Sequence, residues 1–219
     1  EEPPKHIIFI LATTEIDKVP ETIISRTQHF EFRKIGEEDL QKALDNIVRR
    51  EGAKLEPEIL NIIAVLSEGS LRDAESMLDQ ALSGGVDKNS SELLDIFGVP
   101  SQKMLLDLTI SILEKDLKTA LNIVHQGIEK NLDIRSFFKL LIRNYRFLLY
   151  LKVDPGYEKK LLKFLPQNEL SLIKNLSKKY NLTDFEKILT GLTSAYPLLK
   201  ISYLPELPLE LALLKIASL

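Results

Sequence analysis

Gly69-Ser70-Leu71-Arg72-Asp73-Ala74-Glu75-Ser76-Met77-Leu78-Asp79-Gln80-Ala81 places an arginine in the first turn of an amphipathic helix. The apolar positions of this stretch follow helical spacing, which predicts a helix with one buried face. With Ser70 as the N-cap, Arg72 lies where free backbone N–H groups and the helix dipole already favour anions. An arginine at this place can bind a phosphate. The alternative is an exposed Arg72 that pairs with Glu68 or Glu75.

A second arginine, Arg26, follows a short turn that Pro20 initiates, downstream of an apolar run that ends in Thr13-Thr14. The run, Ile7 to Ala12, is rich in branched residues and predicts a strand covered on both faces of a parallel sheet. Ligands of such sheets bind beyond the carboxyl ends of the strands, so Thr14 is placed to contact a phosphate oxygen or a water. Without a nucleotide, the threonines would merely end the strand and Arg26 would be an ordinary surface arginine.

The sequence contains residues suited to sensing a nucleotide but no loop to hold one. No stretch has the pattern G-x-x-x-x-G-K-[ST], and no acidic pair follows a strand to bind magnesium. The predicted strand also needs neighbours, and the alternating segment His29 to Phe32 alone cannot complete a covered sheet. Since the chain starts at Glu1 and not at Met, we expect it to begin late inside an α/β domain of a larger ATPase.

Composition excludes several classes of function. Lys and Arg total 29 against 32 Asp and Glu, and the net charge of -3 gives no bulk attraction for nucleic acid. Cysteine is absent and the three histidines lie far apart, so we expect no metal site. No signal peptide is evident and the longest apolar run is far shorter than a membrane span, so we expect a cytoplasmic protein without a membrane partner.

After Arg33 the apolar period becomes helical and remains so to the end of the chain, which predicts a mainly α fold. Three apolar stripes define a first helical unit: Leu40, Ala43, Leu44, Ile47 and Val48; Ile59, Ile62, Ile63 and Leu66; Leu71, Ala74, Leu78, Ala81 and Leu82. A second helical block follows, with helices predicted near 101–114, 117–130, 134–152, 167–180, 184–195 and 206–218. Asp133 is the expected cap of the third of these, and Thr183 with Glu186 has the capping-box pattern for the fifth.

Basic and aromatic residues alternate between Lys139 and Lys152, a composition that suits single-stranded nucleic acid. Helical spacing favours a different interpretation, a single buried stripe with a basic outer face in solvent. The stripe consists of Phe138, Leu141, Tyr145, Leu148 and Lys152. Contact with a neighbouring subunit is the next alternative.

Three segments together resemble one family. Leu11 to Glu15, Lys18 to Gln28 and Gly69 to Ala81 are similar in motif, order and spacing to the gamma/tau subunits of the bacterial DNA polymerase III clamp loader, which are AAA+ ATPases. The opening Glu1-Glu2-Pro3-Pro4 is similar to the segment that follows the family's magnesium-binding motif. Beyond residue 100 the resemblance is looser and depends on helical content and on an ending, Leu207 to Leu214, like the family's last collar helix.

The resemblance implies a role for three residues. Thr14 would be the first sensor, which contacts the γ-phosphate at the end of the sheet. Arg72 would be the second sensor, which reaches from the lid onto nucleotide bound by its own subunit. Arg26 would be the arginine finger, which completes the site of the adjacent subunit. The family's finger motif usually has Ser-Arg-Cys, and here Thr27 replaces the cysteine.

The resemblance also implies an organisation into the tail of an AAA+ ATPase domain (1–33), a helical lid (34–98) and an all-α collar (99–219). The parent protein would use ATP with Mg²⁺ to load the sliding clamp onto primed DNA, together with delta, delta-prime and further gamma/tau subunits. The family's phosphate loop, zinc-binding cysteines and magnesium carboxylates lie upstream of these segments. We therefore expect no cofactor on this chain alone and no ATP hydrolysis by it.

Two rival interpretations remain. The first is a non-catalytic assembly subunit of the delta-prime type, whose arginine serves a neighbour while its own nucleotide site is dead. Such subunits need not keep an arginine after Gly-Ser, so Arg72 argues against it. The second is another AAA+ ATPase, such as a branch-migration motor, but a winged DNA-binding domain contains strands and residues 101–219 are predicted to be wholly helical.

Overall fold

A computed structural model describes residues 4, 6–83, 90–162, 165 and 167–218, and therefore not Glu1 to Pro3 of the opening segment. The chain forms two compact units, Glu1–Arg33 and Lys34–Leu219. The mainly α fold is confirmed. The α-helices are α1 (Glu21–Ile24), α2 (Glu37–Arg50), α3 (Pro57–Leu66), α4 (Leu71–Ser83), α5 (Ser90–Ile96), α6 (Gln102–Leu113), α7 (Leu117–Glu129), α8 (Ile134–Val153), α9 (Glu158–Leu161), α10 (Gln167–Lys179), α11 (Leu182–Ala195) and α12 (Leu207–Ala217). Short 3₁₀ turns occur at Ile16–Lys18, Pro155–Tyr157 and Tyr196–Lys200.

The first unit contains a 3₁₀ turn and α1 but not the strand that the sequence predicts. No strand occurs among the described residues, and the apolar run from Ile7 to Ala12 is irregular, with Ile8 86% and Ile10 89% exposed. A strand is held by hydrogen bonds to a neighbouring strand, and a lone pair of short segments is marginal in water. The part of the first unit that the structure describes provides no such pairing, so the prediction of a strand is wrong for the run from Ile7 to Ala12.

Helices α2, α3 and α4 pack through the three predicted apolar stripes, all of whose positions are buried or half-buried. Leu40, Leu44, Ile59 and Ile63 are completely buried between α2 and α3. Helix α3 is buried on more than one face, because Asn61 is also inaccessible to solvent. This second covered face of α3 contacts α8.

Helix α8 is the central helix of the second block and packs against α6, α10 and α11. Asp133 caps it as predicted, since its carboxylate accepts hydrogen bonds from the backbone N–H groups of Arg135 and Ser136 at 3.3 and 2.9 Å. Phe138, Leu141, Tyr145 and Leu148 are fully buried, which confirms the predicted stripe. The buried Tyr145 hydroxyl donates to the carbonyl of Thr109 at 2.9 Å, so α8 is also tied to α6.

Helices α6, α7, α10 and α12 lie within a residue or two of their predicted bounds, α11 begins earlier than predicted, and the short α9 was not predicted. The capping box consists of Asn181 and Asp184, two residues before the predicted pair of Thr183 and Glu186. Asn181 directly precedes the first helical residue, and an asparagine caps as well as or better than a threonine. Phe185, near the start of this helix, is completely buried.

Candidate functional site

The second-sensor candidate, Arg72, lies in the first turn of α4. Ser70 caps this helix, because its hydroxyl accepts a hydrogen bond from the backbone N–H of Asp73 at 3.3 Å. Arg72 is exposed, and it forms no ion pair or hydrogen bond with any residue that the structure describes. The pairing with Glu68 or Glu75 that the sequence left open is therefore not found. A free guanidinium stands beside backbone N–H groups that favour an anion.

A tight turn fixes where α4 begins. Glu68 and Gly69 both have a positive φ, of 51° and 88°. A Cβ atom on Gly69 would lie 2.6 Å from Cβ of Lys34 and 3.2 Å from the backbone nitrogen of Ile35. That nitrogen donates a hydrogen bond to the Gly69 carbonyl at 3.1 Å. The close approach explains why glycine precedes the helix-capping serine.

The same turn is bound to α8 by a charged contact. The ammonium group of Lys139 lies 2.6 Å from the Glu68 carboxylate and donates to the carbonyl of Leu66 at 3.3 Å. The Tyr196 hydroxyl donates to Glu68 at 3.5 Å, and Lys34 lies 3.9 Å from the same carboxylate. The hydrogen bond from Lys139 is the main cause that lowers the pKa of Glu68 below its ordinary value. Lys139 therefore contacts the sensor turn, and its predicted place on an outer face in solvent is wrong.

Arg143, one turn further along α8, is buried against the middle of α3. Its guanidinium donates to the side-chain oxygen of Asn61 at 2.8 Å and lies 4.0 Å from Glu37. It also stacks over the Phe147 ring at 5.0 Å. Burial lowers the pKa of Arg143 to about 10, and Glu37 opposes that shift. Arg143 is thus a second exception to the expected basic outer face.

A signal for this second face was present in the sequence. Lys139, Arg143 and Phe147 recur at intervals of four, so they share one face of α8. Two long cations in line with a phenylalanine suit a half-buried contact, where their stems cover apolar surface and their charges find partners. The pattern indicates a contact but cannot identify the helix that supplies it.

The first-sensor candidate, Thr14, lies in the first unit. The neighbouring Thr13 hydroxyl accepts a hydrogen bond from the backbone N–H of Glu15 at 3.0 Å, so Thr13 forms the local turn. Thr14 is exposed, and within the described residues its hydroxyl has no hydrogen-bond partner. Of the two threonines, the one with a free hydroxyl is the predicted sensor.

The arginine-finger candidate, Arg26, is exposed just after α1. Its backbone N–H donates to the carbonyl of Ile23 at 3.1 Å. The Thr27 hydroxyl donates to the same carbonyl at 2.9 Å, so Thr27 closes the turn. In the described part of the chain, Arg26 forms no ion pair. Arg26 and Thr14 belong to the first unit and Arg72 to the second.

Among the helices that the structure describes, none has both the length and the hydropathy to cross a membrane. In the described part of the chain, no group of three or more His, Asp or Glu residues is arranged so that it could hold a metal ion.

Three segments of the chain match models of known protein families. Residues 89–219 match the model for domain III of the DNA polymerase III subunits gamma and tau. Residues 39–87 match the ATPase lid domain of the DNA polymerase III clamp loader subunit, and residues 1–36 match a model for the DNA polymerase III delta subunit. The chain belongs to the gamma and tau subunit family of DNA polymerase III.

Individual relatives agree with this assignment. The gamma subunit of DNA polymerase III from Buchnera aphidicola subsp. Schizaphis graminum is 33% identical over 86% of this chain and 52% of its own length. The tau subunit from Bacillus subtilis is 39% identical over 72% of this chain and 28% of its own length. A solved structure, the Bacillus subtilis DNA clamp loader delta protein, covers 95% of this chain and 64% of that chain at 15% identity and a TM-score of 0.46. The chain thus spans about half of the length of the first of these relatives and about a quarter of the second.

Proposed function

We propose that this chain supplies the nucleotide sensors, the arginine finger and the assembly region of one subunit in an ATP-dependent clamp loader. Such a loader would place the sliding clamp onto primed DNA during replication. The observation that carries the proposal is Arg72, an unpaired arginine in the first turn of a capped helix. It lies within the segment that matches the clamp-loader lid. The proposed divisions are the ATPase-domain tail at 1–33, the lid at 34–98 and the collar at 99–219.

We expect two exposed residues, one in each unit, to contact the phosphate end of a nucleotide. Arg72 offers a cation beside free N–H groups, and Thr14 offers an unpaired hydroxyl. ATP with Mg²⁺ would be held by other parts of the subunit, and the magnesium would neutralise phosphate charge there. Arg72 would contact nucleotide of its own subunit and draw the lid towards it.

Arg26 would act on the nucleotide of the adjacent subunit. Its exposed position after a closed turn leaves the guanidinium available to another chain. An arginine supplied in this way stabilises the charge that develops on the transferred phosphoryl group. Nucleotide hydrolysis would then depend on how the subunits meet.

The collar would join this subunit to the others, which include delta, delta-prime and further gamma/tau copies. An apolar stripe on α12 and the segment before it supports this role, because it is exposed although the opposite face of α12 is buried. It consists of Leu204, Leu207, Leu211 and Leu214. Apolar patches of this kind mark protein contacts.

A second candidate function is that of a non-catalytic assembly subunit. The match of residues 1–36 to the delta-subunit model favours it. The gamma and tau match, which covers the larger segment 89–219, and the free Arg72 favour the ATP-dependent subunit.

Two substitutions in the full-length subunit test the proposal. Arg72→Ala should weaken ATP binding by the isolated subunit, since Arg72 would contact its own nucleotide. Arg26→Ala should leave that binding unchanged and reduce the ATPase rate of the assembled loader at least tenfold, a threshold set below the contribution of about 10³ to 10⁵ that arginine fingers make. Arg49→Ala is the matched control, because Arg49 is an exposed arginine that pairs with Asp45. Normal ATP binding by Arg72→Ala, or a normal rate with Arg26→Ala, would refute the role of that arginine.

A further inference from the structure

Helix α4, which carries Arg72, follows a turn at Glu68 and Gly69, and a residue of the second helical block contacts this turn. Lys139 of α8 contacts two groups at once, the carbonyl of Leu66 in the last turn of α3 and the carboxylate of Glu68. A cation at the carboxyl end of a helix is also favoured by the helix dipole. Three chain positions separate Glu68 from Arg72, and the intervening Gly69 is packed against the backbone of Ile35. The position of this one ammonium group therefore bears directly on where α4 begins.

The backbone at Glu68 gives a second reason to regard this contact as a positioning device. A non-glycine residue with a φ of 51° occupies a sparsely populated region and needs its surroundings to hold it there. Lys139, Tyr196 and Lys34 all face the Glu68 carboxylate. Lys139 makes the shortest of these contacts and is itself mostly covered, with its side chain 18% exposed.

We propose that Lys139 is a positioning residue that sets Arg72 for nucleotide sensing, so that the collar helix α8 is coupled to the lid through Glu68. This inference rests on the proposed role of Arg72 as a sensor. A shift of α8 along α3 moves the ammonium away from Glu68, and the turn then loses the charge that holds its left-handed residue. The start of α4, and with it Arg72, is the first element to respond. Assembly of the collars in a ring is thereby communicated to the lid.

Arg143 does not share this role although it lies on the same face of α8. It contacts the middle of α3 at Asn61, more than one helical turn before the sensor turn. Its buried guanidinium serves the stability of the contact between α3 and α8. The two cations therefore contact different parts of the lid: Arg143 binds the middle of α3, and Lys139 binds the turn that follows α3.

The test is a double-mutant cycle in the full-length subunit within the assembled loader, with KM and kcat for ATP measured separately. Lys139→Met, which keeps the apolar stem, should raise KM about two- to fivefold, the scale of a partly exposed ion pair. Lys139→Arg should restore KM. In an Arg72→Ala background, Lys139→Met should change nothing further, because the residue acts through Arg72. Lys42→Met is the control, since Lys42 forms an exposed pair with Asp39 on α2.

Amide hydrogen exchange of the same variants supplies a readout independent of activity. Lys139→Met should speed exchange in residues 67–74 and leave the centre of α8 protected. An unchanged KM, or an effect that adds fully to that of Arg72→Ala, would overturn the positioning role. If Arg72→Ala itself leaves ATP kinetics unchanged, the proposed sensor function fails, and the exchange data still report whether Lys139 holds the turn.

Discussion

The turn before α4 requires a glycine at position 69, because of both its backbone conformation and the space around it. Alanine there would meet two costs, the left-handed φ of 88° and contacts of 2.6 Å with Lys34 and 3.2 Å with the Ile35 backbone. Gly69→Ala should lower the free energy of unfolding by about 2–4 kcal/mol. Gly52 separates the two costs, since its φ is 66° but no atom lies within 4 Å of the added Cβ. In urea unfolding, Gly52→Ala should lower the free energy of unfolding by only about 1 kcal/mol. Equal losses of stability for Gly52→Ala and Gly69→Ala would show that the close approach at Gly69 is unimportant.

Single residues were predicted best where the chemistry is local. Ser70 as a helix cap and Asp133 as a second cap depend on neighbours in sequence, and both are confirmed. One alternative paired Arg72 with Glu68 or Glu75, but the Glu68 carboxylate binds Lys139, a residue 71 positions later in the chain. Local spacing identifies which residues can pair within a helix, but tertiary packing decides which do.

At the scale of elements, helical periodicity was sufficient to locate the helices, whereas the apolar pattern of a strand was not sufficient to predict a strand. A helix satisfies its hydrogen bonds internally, so α8 could be located from its own sequence to within a residue or two. A strand depends on partners, and the apolar run from Ile7 to Ala12 has none in the first unit. The second buried face of α8 was missed for the same reason, because its burial depends on α3. The residues near the sensor were thus predicted individually, while their link to the collar required the structure.

A partly buried carboxyl group in α10, that of Glu169, predicts a pH-dependent stability. Burial, assisted by the charge of Glu58, raises the pKa of Glu169 in α10 to about 7 from its ordinary value of 4.5. The folded chain therefore binds this proton more tightly than the unfolded chain, and the resulting stability is present below pH 4.5 and lost as the pH rises through about 7. Glu169→Gln removes the ionisable carboxyl and should stabilise the chain at pH 8 by about 1–2 kcal/mol, a value reduced because the carboxyl is only half-buried.

Thermal unfolding at pH 5 and pH 8 checks this expectation. The gain from Glu169→Gln should be largest at pH 8 and clearly smaller at pH 5, because most of the range between the unfolded and folded pKa values lies above pH 5. Glu186→Gln, at an exposed position of α11, should show no such difference between the two pH values. A stabilisation of equal size at both pH values would point to packing of the amide and not to relief of a buried charge.

At the scale of the whole molecule, the distribution of exposed apolar side chains separates a contact surface from ordinary exposure. Leu211 in α12 and Leu172 in α10 are almost equally accessible, at 52% and 51%. Leu211 lies in line with Leu207 and Leu214 at helical spacing, whereas an isolated exposed leucine needs no explanation.

If the α12 stripe joins collars, Leu211→Lys should weaken association with the other subunits at least tenfold, because a lysine would be buried there without a partner. Leu172→Lys should leave association unchanged. Size-exclusion chromatography with light scattering over a concentration series measures both, with unfolding curves to show that each variant is folded. Equal association of the Leu211→Lys and Leu172→Lys variants would place the collar contact elsewhere on the molecule.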